Sequence, residues 1–326
     1  MMTRNDPVTT PILILVGPTA IGKTDLSLKL AKTFDCEIIS MDSMQVYRFM
    51  DIGTAKVTPE ERGQITHHLI DIVNPDEQYD AARFGRDALA AIKMISSRGK
   101  TPLITGGTGL YLSSLINGLF AAIEVKDEIR VQMRERLNIE GREGLHQELL
   151  RIDPESGARI HINDTQRLLR GLEIFYATGV PWSEHLRRQV LAPGQPVFTR
   201  MLHLGLTCDR SLLQERIKLR SYSMMKDTFK KEIEGLIAQG YGRDLPSMQS
   251  IGYRHMGACL HGECDLTAAT NALIQDTKRY AKRQMTWFRR QQALQWDDIA
   301  HQEKVIEKVA AFLRTADNNL SPRLKP

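Results

Sequence analysis

Residues 12–24 read Ile12-Leu13-Ile14-Leu15-Val16-Gly17-Pro18-Thr19-Ala20-Ile21-Gly22-Lys23-Thr24. From Gly17 onward they match G-x-x-x-x-G-K-[ST], the phosphate-binding loop or P-loop. The apolar run before the loop reads as a buried strand. After it, Leu26, Leu30, Ala31 and Phe34 mark one face of a helix. That context gives the motif its mechanism. Glycines let backbone N–H groups turn toward a phosphate chain, and the amino end of the helix adds partial positive charge. In this pattern Lys23 reaches the terminal phosphate and the Thr24 hydroxyl ligates magnesium. The bland alternative is a glycine-rich turn without a ligand. The loop specifies a polyphosphate and leaves the reaction open.

Working outward, the chain from Ile12 to about Gly118 follows a β-α-β-α-β-α pattern. Glu37–Ser40 is a second short strand and His68–Val73 a third. Phe84, Ala88, Ala91, Ile92 and Ile95 form a helix stripe, and Pro102–Thr105 is a strand ending at Gly106-Gly107. Such alternation implies a parallel sheet covered on both faces, with ligands at the carboxyl ends of the strands. The P-loop, the Asp42 segment and Gly106-Gly107 all follow strand ends, so they are expected to converge. From residue 120 to 196 charged amphipathic helices take over, over Asp127–Leu137, Gly144–Ile152 and Asp164–Tyr176, closing on a linker at Leu191–Pro196. Met201–Leu206 reads as a strand returning to the sheet, and the rest reads as helical. The expected organisation is an α/β P-loop kinase-like parallel sheet with helices on both faces, plus an inserted all-helical domain. The core is residues 11–119 and 197–315, the insertion 120–196, and residues 1–10 and 316–326 are flexible termini.

At 326 residues the chain is long enough for one large or two smaller domains. Its longest apolar runs fall well short of the ~20 residues of a membrane span. The polar start from Met1 to Pro11 has no secretory character. The cysteines Cys36, Cys208, Cys259 and Cys264 lack zinc-finger spacing and read as reduced thiols, which places the protein in the cytoplasm. Nothing demands an oligomer, and a monomer is expected. A net charge of +5 is a mild bias toward polyanionic partners.

A nucleoside-triphosphate hydrolase carries an acid at the end of a second strand to hold magnesium. Here Leu103-Ile104-Thr105 runs into Gly106-Gly107-Thr108-Gly109 without one. The strand-end carboxylate is Asp42, in Ser40-Met41-Asp42-Ser43-Met44-Gln45. It is either a helix cap or, beside the P-loop, a general base or an outer-shell partner of the metal. Residues 278–290 carry Lys278, Arg279, Lys282, Arg283, Arg289 and Arg290 interleaved with Tyr280, Trp287 and Phe288. They form either a solvated basic face or an RNA backbone-binding strip. Arg167, Arg170, Arg187 and Arg188 add a second basic group. His67-His68 lacks metal-ligand spacing and reads as structural.

Taken together, GPTAIGKT (17–24), DSMQVYRFMDIGTAK (42–56), HHLIDIVNP (67–75), GGTGLYL (106–112), NDTQRLLRGLEI (163–174), IGYRHM (251–256) and AKRQMTWFRR (281–290) resemble the bacterial tRNA dimethylallyltransferase family. The likeness is collinear and runs from residue 11 to about 312. It implies transfer of a dimethylallyl group from dimethylallyl diphosphate to N6 of adenosine 37, beside the tRNA anticodon. Gly17, Pro18, Thr19, Ala20, Ile21, Gly22, Lys23, Thr24 and Arg216 would then bind the diphosphate, with Arg220 competing for the role of Arg216. Mg²⁺ would sit on Thr24, Asp42 would be the general base, and Thr108 would contact the target nucleotide. The tRNA anticodon stem-loop would touch Asp42, Ser43, Met44, Gln45, Thr108, Arg130 and the run Gln166, Arg167, Leu168, Leu169, Arg170. It would also touch Gln249, Ser250, Ile251, Gly252, Tyr253 and Arg254, and then Lys282, Arg283, Gln284, Met285, Thr286, Trp287, Phe288 and Arg289. Gln45 and Gln249 would read base edges. The target base would have to be flipped out of its stack.

Two departures stand out. Ile21 occupies a position where the family often has serine, on a side chain expected to point away from the phosphates. Thr228-Phe229 replaces a common Gly-Leu near the diphosphate arginine. Competing functions are a kinase or prenyltransferase acting on a small adenine nucleotide, and a non-catalytic RNA-binding module. The missing strand-end acid and the basic insertion weigh against the first. The joint presence of Lys23, Thr24 and Asp42 weighs against the second.

Overall fold

The structure, a computed structural model, describes residues 7–118, 123, 125–191 and 197–317. The chain runs β1 (Ile12–Val16), α1 (Lys23–Thr33), β2 (Cys36–Met41), α2 (Pro59–Gln64), β3 (His67–His68), α3 (Ala81–Ser97), β4 (Thr101–Gly106) and α4 (Gly109–Asn117). Then come α5 (Asp127–Ile152), α6 (Pro154–Arg159), α7 (Thr165–Thr178) and α8 (Trp182–Leu191). Last are β5 (Met201–Thr207), α9 (Arg210–Met224), α10 (Asp227–Ala238), α11 (Tyr253–Leu260), α12 (Leu266–Phe288), β6 (Gln295–Asp298) and α13 (Gln302–Asp317).

The strands form one sheet in the order β3-β2-β4-β1-β5-β6, with every pair parallel. β1 lies inside the sheet, and its Leu15 is in register with Thr105 of β4 and Leu204 of β5. One face packs Leu13, Leu15, Leu103, Leu204 and Leu206 against Leu26 and Leu30 of α1 and Val305 and Val309 of α13. The alternating residues Ile14, Val16, Ile39 and Ile104 are buried too, so both faces are covered, as a parallel sheet requires. α3 buries the expected stripe of Phe84, Ala88, Ala91, Ile92 and Ile95.

Three expectations need correction. The third strand is only His67–His68, because Leu69 and Asp71 turn left-handed, at φ 62° and 56°. Lys56 and Arg62 both bind the Asp71 carboxylate, at 2.6 Å each, and hold the chain away from an extended path. The carboxyl-terminal region is not wholly helical, since β6 adds an edge strand of Gln295-Trp296-Asp297-Asp298. It carries no apolar run that periodicity could detect. The Trp296 ring lies so close to Gly205 of β5 that a Cβ there would come within 2.8 Å of it. Finally, residues 7–10 are tied down: Val8 N donates to Val197 O and Thr199 N to Val8 O, at 2.8 and 3.1 Å. Residues 1–6, 192–196 and 318–326 lie outside the described residues.

Asn117–Pro196 forms a compact unit distinct from Asp6–Ile116 with Val197–Pro326. Its core is Met133, Leu145, Leu149, Ile160, Leu168 and Leu172. The two helices read over Asp127–Leu137 and Gly144–Ile152 are the halves of α5, broken at Gly141, whose φ of 71° interrupts the helix. In the other unit, Phe229 is fully buried, edge-on to Tyr253 at 5.2 Å, so this departure from the family pattern fills the core.

His67 and His68 both act structurally. His67 Nδ1 bonds Ile65 O at 2.7 Å, and His68 Nε2 bonds Glu37 at 2.7 Å. Burial pushes the Glu37 carboxyl up, but hydrogen bonds from His68 and Arg98 outweigh it and hold its pKa below the ordinary carboxylate value. A depressed folded-state pKa stabilises the fold above the unfolded value and loses that stabilisation as pH falls through the folded one. Glu37→Gln is therefore expected to cost about 1–3 kcal/mol near neutral pH, and less as pH drops below 4.5. Urea unfolding of both proteins across that range checks it.

Candidate active site

The P-loop leaves β1 at Gly17 and enters α1 at Lys23. Ala20 and Gly22 adopt left-handed backbone, at φ 64° and 102°. Gly22 is the residue before the first turn of α1, where a side chain would be strained. Ile21 is fully buried and packs into the core on the α1 face. Lys23 Nζ folds back to donate to Gly17 O and Pro18 O, at 2.9 and 2.8 Å. Arg216, from α9, donates to Ile21 O at 2.8 Å and so braces the loop from outside.

A cavity of about 600 Å³ opens at the carboxyl ends of β1, β2 and β4. Its lining brings together the P-loop, Asp42, Gly106-Gly107, Arg216 and Arg220, as the sequence led one to expect. Apolar walls come from Ile38, Val57, Ile70, Ile217 and Leu273. Burial pushes the Lys23 ammonium down to about 7; Arg220 adds to the fall and Asp42 opposes it. Burial also lowers Arg220, again with Asp42 opposing. These three charges therefore feel one another across the cavity. Arg216 is committed to the loop carbonyl, whereas Arg220 makes no hydrogen bond or ion pair with a described residue. Arg216 thus shapes the loop, while Arg220 lines the cavity with no described partner for its charge.

Asp42 follows the last residue of β2. Its Oδ1 accepts from Met44 N at 2.8 Å and Gln45 N at 3.3 Å. The cap and the candidate base are thus the same carboxylate. One oxygen fixes the turn, and the other bonds no described residue. Thr108 is one step away, accepting from Ser43 N at 3.2 Å and donating its own N–H to Met41 O at 3.3 Å.

Helix α12 turns toward this site a face that the sequence reading assigned to tRNA, through Gln284 and Trp287, or left among the strip's aromatics, through Tyr280. Tyr280, Gln284 and Trp287 lie at i, i+4 and i+7, one face of the helix, and that spacing was the available signal. Burial pushes the Tyr280 phenol up to about 12; Asp42 adds to the rise, and the Thr108 and Gln284 side chains oppose it. Gln284 Oε1 accepts from Thr19 N of the P-loop at 2.9 Å, while its Nε2 donates to Gly107 O at 3.0 Å. Trp287 lies against Gly109, where a Cβ would come within 2.2 Å of the indole.

The model of the IPP transferase family matches residues 45–291. The chain belongs to the IPP transferase family. It is 48% identical over 305 residues to the tRNA dimethylallyltransferase of Desulfotalea psychrophila, covering 93% of this chain and 96% of that protein. It is 44% identical over 301 residues to that of Heliobacterium modesticaldum, covering 91% and 93%. Among solved structures, the tRNA isopentenylpyrophosphate transferase of Bacillus halodurans superimposes with a TM-score of 0.68 at 36% identity, covering 95% of this chain and 99% of that one. A eukaryotic dimethylallyltransferase acting on tRNA gives 0.76 at 26% identity, covering 97% and 81%.

Within this IPP transferase the candidate tRNA contacts separate by burial. Lys282, Arg283 and Thr286 are exposed on α12 and Arg289 at its end, as are Gln166 and Arg167 on α7, Gln249 before α11 and Arg254 on it. Gln284 and Phe288 are buried, as are Leu168, Gly252 and Tyr253, whose hydroxyl bonds Glu232 at 2.5 Å. Periodicity explains the correction: a contiguous run on a helix always includes inward residues. Met285, Trp287, Leu169, Ser250, Ile251, Ser43 and Met44 are partly buried. Gln45 accepts from Ser40 Oγ at 3.0 Å and Gln249 donates to Arg243 O at 2.5 Å, so both carboxamides are engaged within the protein.

The two basic groups also differ. Arg130, Arg167, Arg170, Arg187 and Arg188 each pair with a carboxylate of the helical unit. Lys282, Arg283, Arg289 and Arg290 form no ion pair with a described residue, and Arg283 lies over the Tyr280 ring at 5.8 Å. Leu168→Ala is expected to cost about 2–5 kcal/mol by opening a cavity. Arg167→Ala, one residue away and exposed, should stay within about 0.5 kcal/mol of wild type. Thermal unfolding of both variants reads the difference.

Proposed function

We propose that this chain transfers a dimethylallyl group from dimethylallyl diphosphate to N6 of adenosine 37 in tRNA, releasing diphosphate. Dimethylallyl transfer to tRNA is the activity carried in the names of relatives that match it nearly end to end, and the chain is a prenyltransferase. The observation that carries the finer reading is a phosphate-binding loop facing a strand-end carboxylate, Asp42, across one cavity. Its volume of about 600 Å³ lies in the range of small-molecule sites.

The chemistry follows from the residues present. The allylic C–O bond breaks as N6 forms its bond to that carbon, and the C–O electron pair leaves on the diphosphate. Negative charge grows on the leaving oxygens, where the amino end of α1 and Arg220 supply positive charge, and Lys23 would exchange the Gly17 and Pro18 carbonyls for them. The adenine amine has its lone pair delocalised into the ring and must lose a proton as it attacks. The oxygen of Asp42 that bonds no described residue takes that proton, while the Met44 and Gln45 amides hold the carboxylate still. Tyr280 and Thr108 border the same carboxylate and position the acceptor base.

Magnesium fits the residues present. The Thr24 hydroxyl lies on the first turn of α1 and lines the cavity. The Thr105 hydroxyl, buried and without a hydrogen-bond partner among the described residues, lines it too. Thr105 is in register with Leu15, whose side chain packs under α1, so its side chain lies on the α1 face of the sheet, and it lines the same cavity as Thr24. Thr24 would hold the ion with Thr105 in its outer shell, and the ion would neutralise charge on the diphosphate.

The protein works as a monomer alongside its tRNA in the cytoplasm. Among the described residues no helix is long and apolar enough to cross a membrane.

Labelled dimethylallyl diphosphate, supplied with either unmodified tRNA or AMP, tests the assignment. Label should enter tRNA and not AMP; the reverse would make this a small-nucleotide prenyltransferase. In the same assay Asp42→Ala should lower kcat by about 10²–10⁴-fold. Its tRNA affinity should stay within a few-fold of wild type, and a near-normal kcat would remove Asp42 as base.

The unpaired strip on α12 should bind tRNA through phosphates, with a log–log salt slope of about −0.7 to −0.9 per contact. Arg289→Ala and Lys282→Ala should each raise the KM for tRNA and make that slope shallower by about one unit, leaving the diphosphate KM unmoved. Filter binding across a salt series measures it. Wild-type slopes in both variants would return the strip to a solvated face.

A further inference from the structure

We propose that Glu232 is a positioning residue for the proton-accepting end of the site: it lies outside the cavity and fixes the wall that steadies Asp42. The inference rests on the reading of Asp42 as the general base.

Glu232 sits on α10, half-buried, and does not line the cavity. It forms no ion pair with a described residue; donors alone hold its carboxylate. Oε2 accepts from Asp51 N at 3.2 Å and Ile52 N at 2.7 Å. Oε1 accepts from Gly53 N at 3.4 Å and from the Tyr253 hydroxyl at 2.5 Å. Three successive amides turned on one anion form a nest, and each of these bonds is charge-assisted. Shape adds to charge. A Cβ on Gly53 would come within 2.3 Å of the Tyr253 ring and 2.6 Å of the Phe229 ring. Phe229 and Glu232 are three residues apart on α10, so one face of that helix seats the whole turn.

The turn continues into the wall of the cavity, which Gly53, Thr54 and Ala55 line. Thr54 O and Ala55 O each accept from Gln45 Nε2 at 3.4 Å, and Gln45 Oε1 accepts from Ser40 Oγ at 3.0 Å. The backbone N–H of the same Gln45 donates to Asp42 Oδ1 at 3.3 Å. An amide that holds the base therefore belongs to a residue whose side chain is moored to the wall, and the wall is moored to Glu232. Lys56 secures the far end of the segment, donating to Tyr47 O at 2.8 Å and Asp51 at 2.5 Å. The P-loop and its brace, Arg216, stand outside this path.

Both carboxylate oxygens of Glu232 are in use. Glu232→Gln turns one acceptor into a donor that faces other donors, so half of the nest is lost whichever way the carboxamide lies. Proximity to a reacting group is sensitive to such loosening, because a displacement of about 1 Å can cost 10²-fold in rate.

The test follows label from dimethylallyl diphosphate into unmodified tRNA with the full chain. Glu232→Gln should lower kcat by about tenfold or more. Its affinity for inorganic diphosphate, measured by calorimetry, should be unchanged. A general loosening of the fold would multiply with other losses, whereas residues on one path do not. Gln45→Ala should therefore lower kcat alone, and the Glu232→Gln, Gln45→Ala double variant should turn over no more slowly than the slower single one. Tyr253→Phe removes one of the four bonds and keeps the ring, so it should lower kcat by about two- to tenfold. This milder variant keeps the proposal falsifiable if the glutamine form folds poorly. Wild-type kcat in either Glu232→Gln or Tyr253→Phe would overturn the proposal. So would fully multiplied losses in the double variant, or a fall in diphosphate affinity that accompanies the fall in kcat. A near-normal kcat in Asp42→Ala is a separate outcome. It would overturn the assignment of the base, and this inference with it.

Discussion

Parallel strands end together, and that constraint organises the chemistry of this protein. β1, β2 and β4 all finish at the same edge of the sheet, so the P-loop, Asp42 and Gly106-Gly107 are delivered to one cavity by registry alone. Gly106 marks how close the strand ends come: a Cβ on it would lie 2.0 Å from Met41 O. No long-range side-chain contact is needed to bring phosphate donors and carboxylate face to face. The sheet brings them together because both of its faces are buried and its register cannot slip without exposing a row of apolar side chains.

Within the catalytic unit, helix α12 then does two things at once. One face, through Tyr280, Gln284 and Trp287, closes on Asp42, the P-loop and the turn after β4. The other presents Lys282, Arg283 and Arg289 to solvent without ion-pair partners among the described residues. Unpaired cations on a surface are available to an external polyanion, whereas those of α7 and α8 are already matched with carboxylates. The contrast favours α12 as the electrostatic footprint for a nucleic acid. In the helical unit, a polyanion would reach the outward arginines only by displacing an existing carboxylate partner.

The electrostatics of the cavity are those of a site built for an anion. Lys23 and Arg220 are both lowered by burial, and Arg220 further opposes the charging of Lys23. Asp42 relieves only part of that cost. An anion in the cavity would favour the charged form of both cations. A neutral hydroxyl, Thr105, lines the cavity near the end of β4, where a triphosphate hydrolase carries an acid.

The sequence by itself determined the local elements and the chemistry they imply. An apolar run, glycines and a Lys-Thr pair specify a strand, an anion-binding turn and a helix, because each depends only on neighbouring residues. Collinear motifs from residue 11 to about 312 carried the family. Tertiary structure alone decided how far each element extends and which residues of a motif face the site. His68–Val73 failed as a strand because two cations from outside the segment seize Asp71. Gln295–Asp298 became a strand because β5 had an open edge, although its composition is polar. Leu168, Tyr253 and Gln284 lie inside motifs that read as RNA contacts, yet each points inward. A linear motif records that a residue is constrained and not the direction of the constraint. That direction is set by packing partners far away in sequence: Gln284 meets Thr19 across 265 positions of chain.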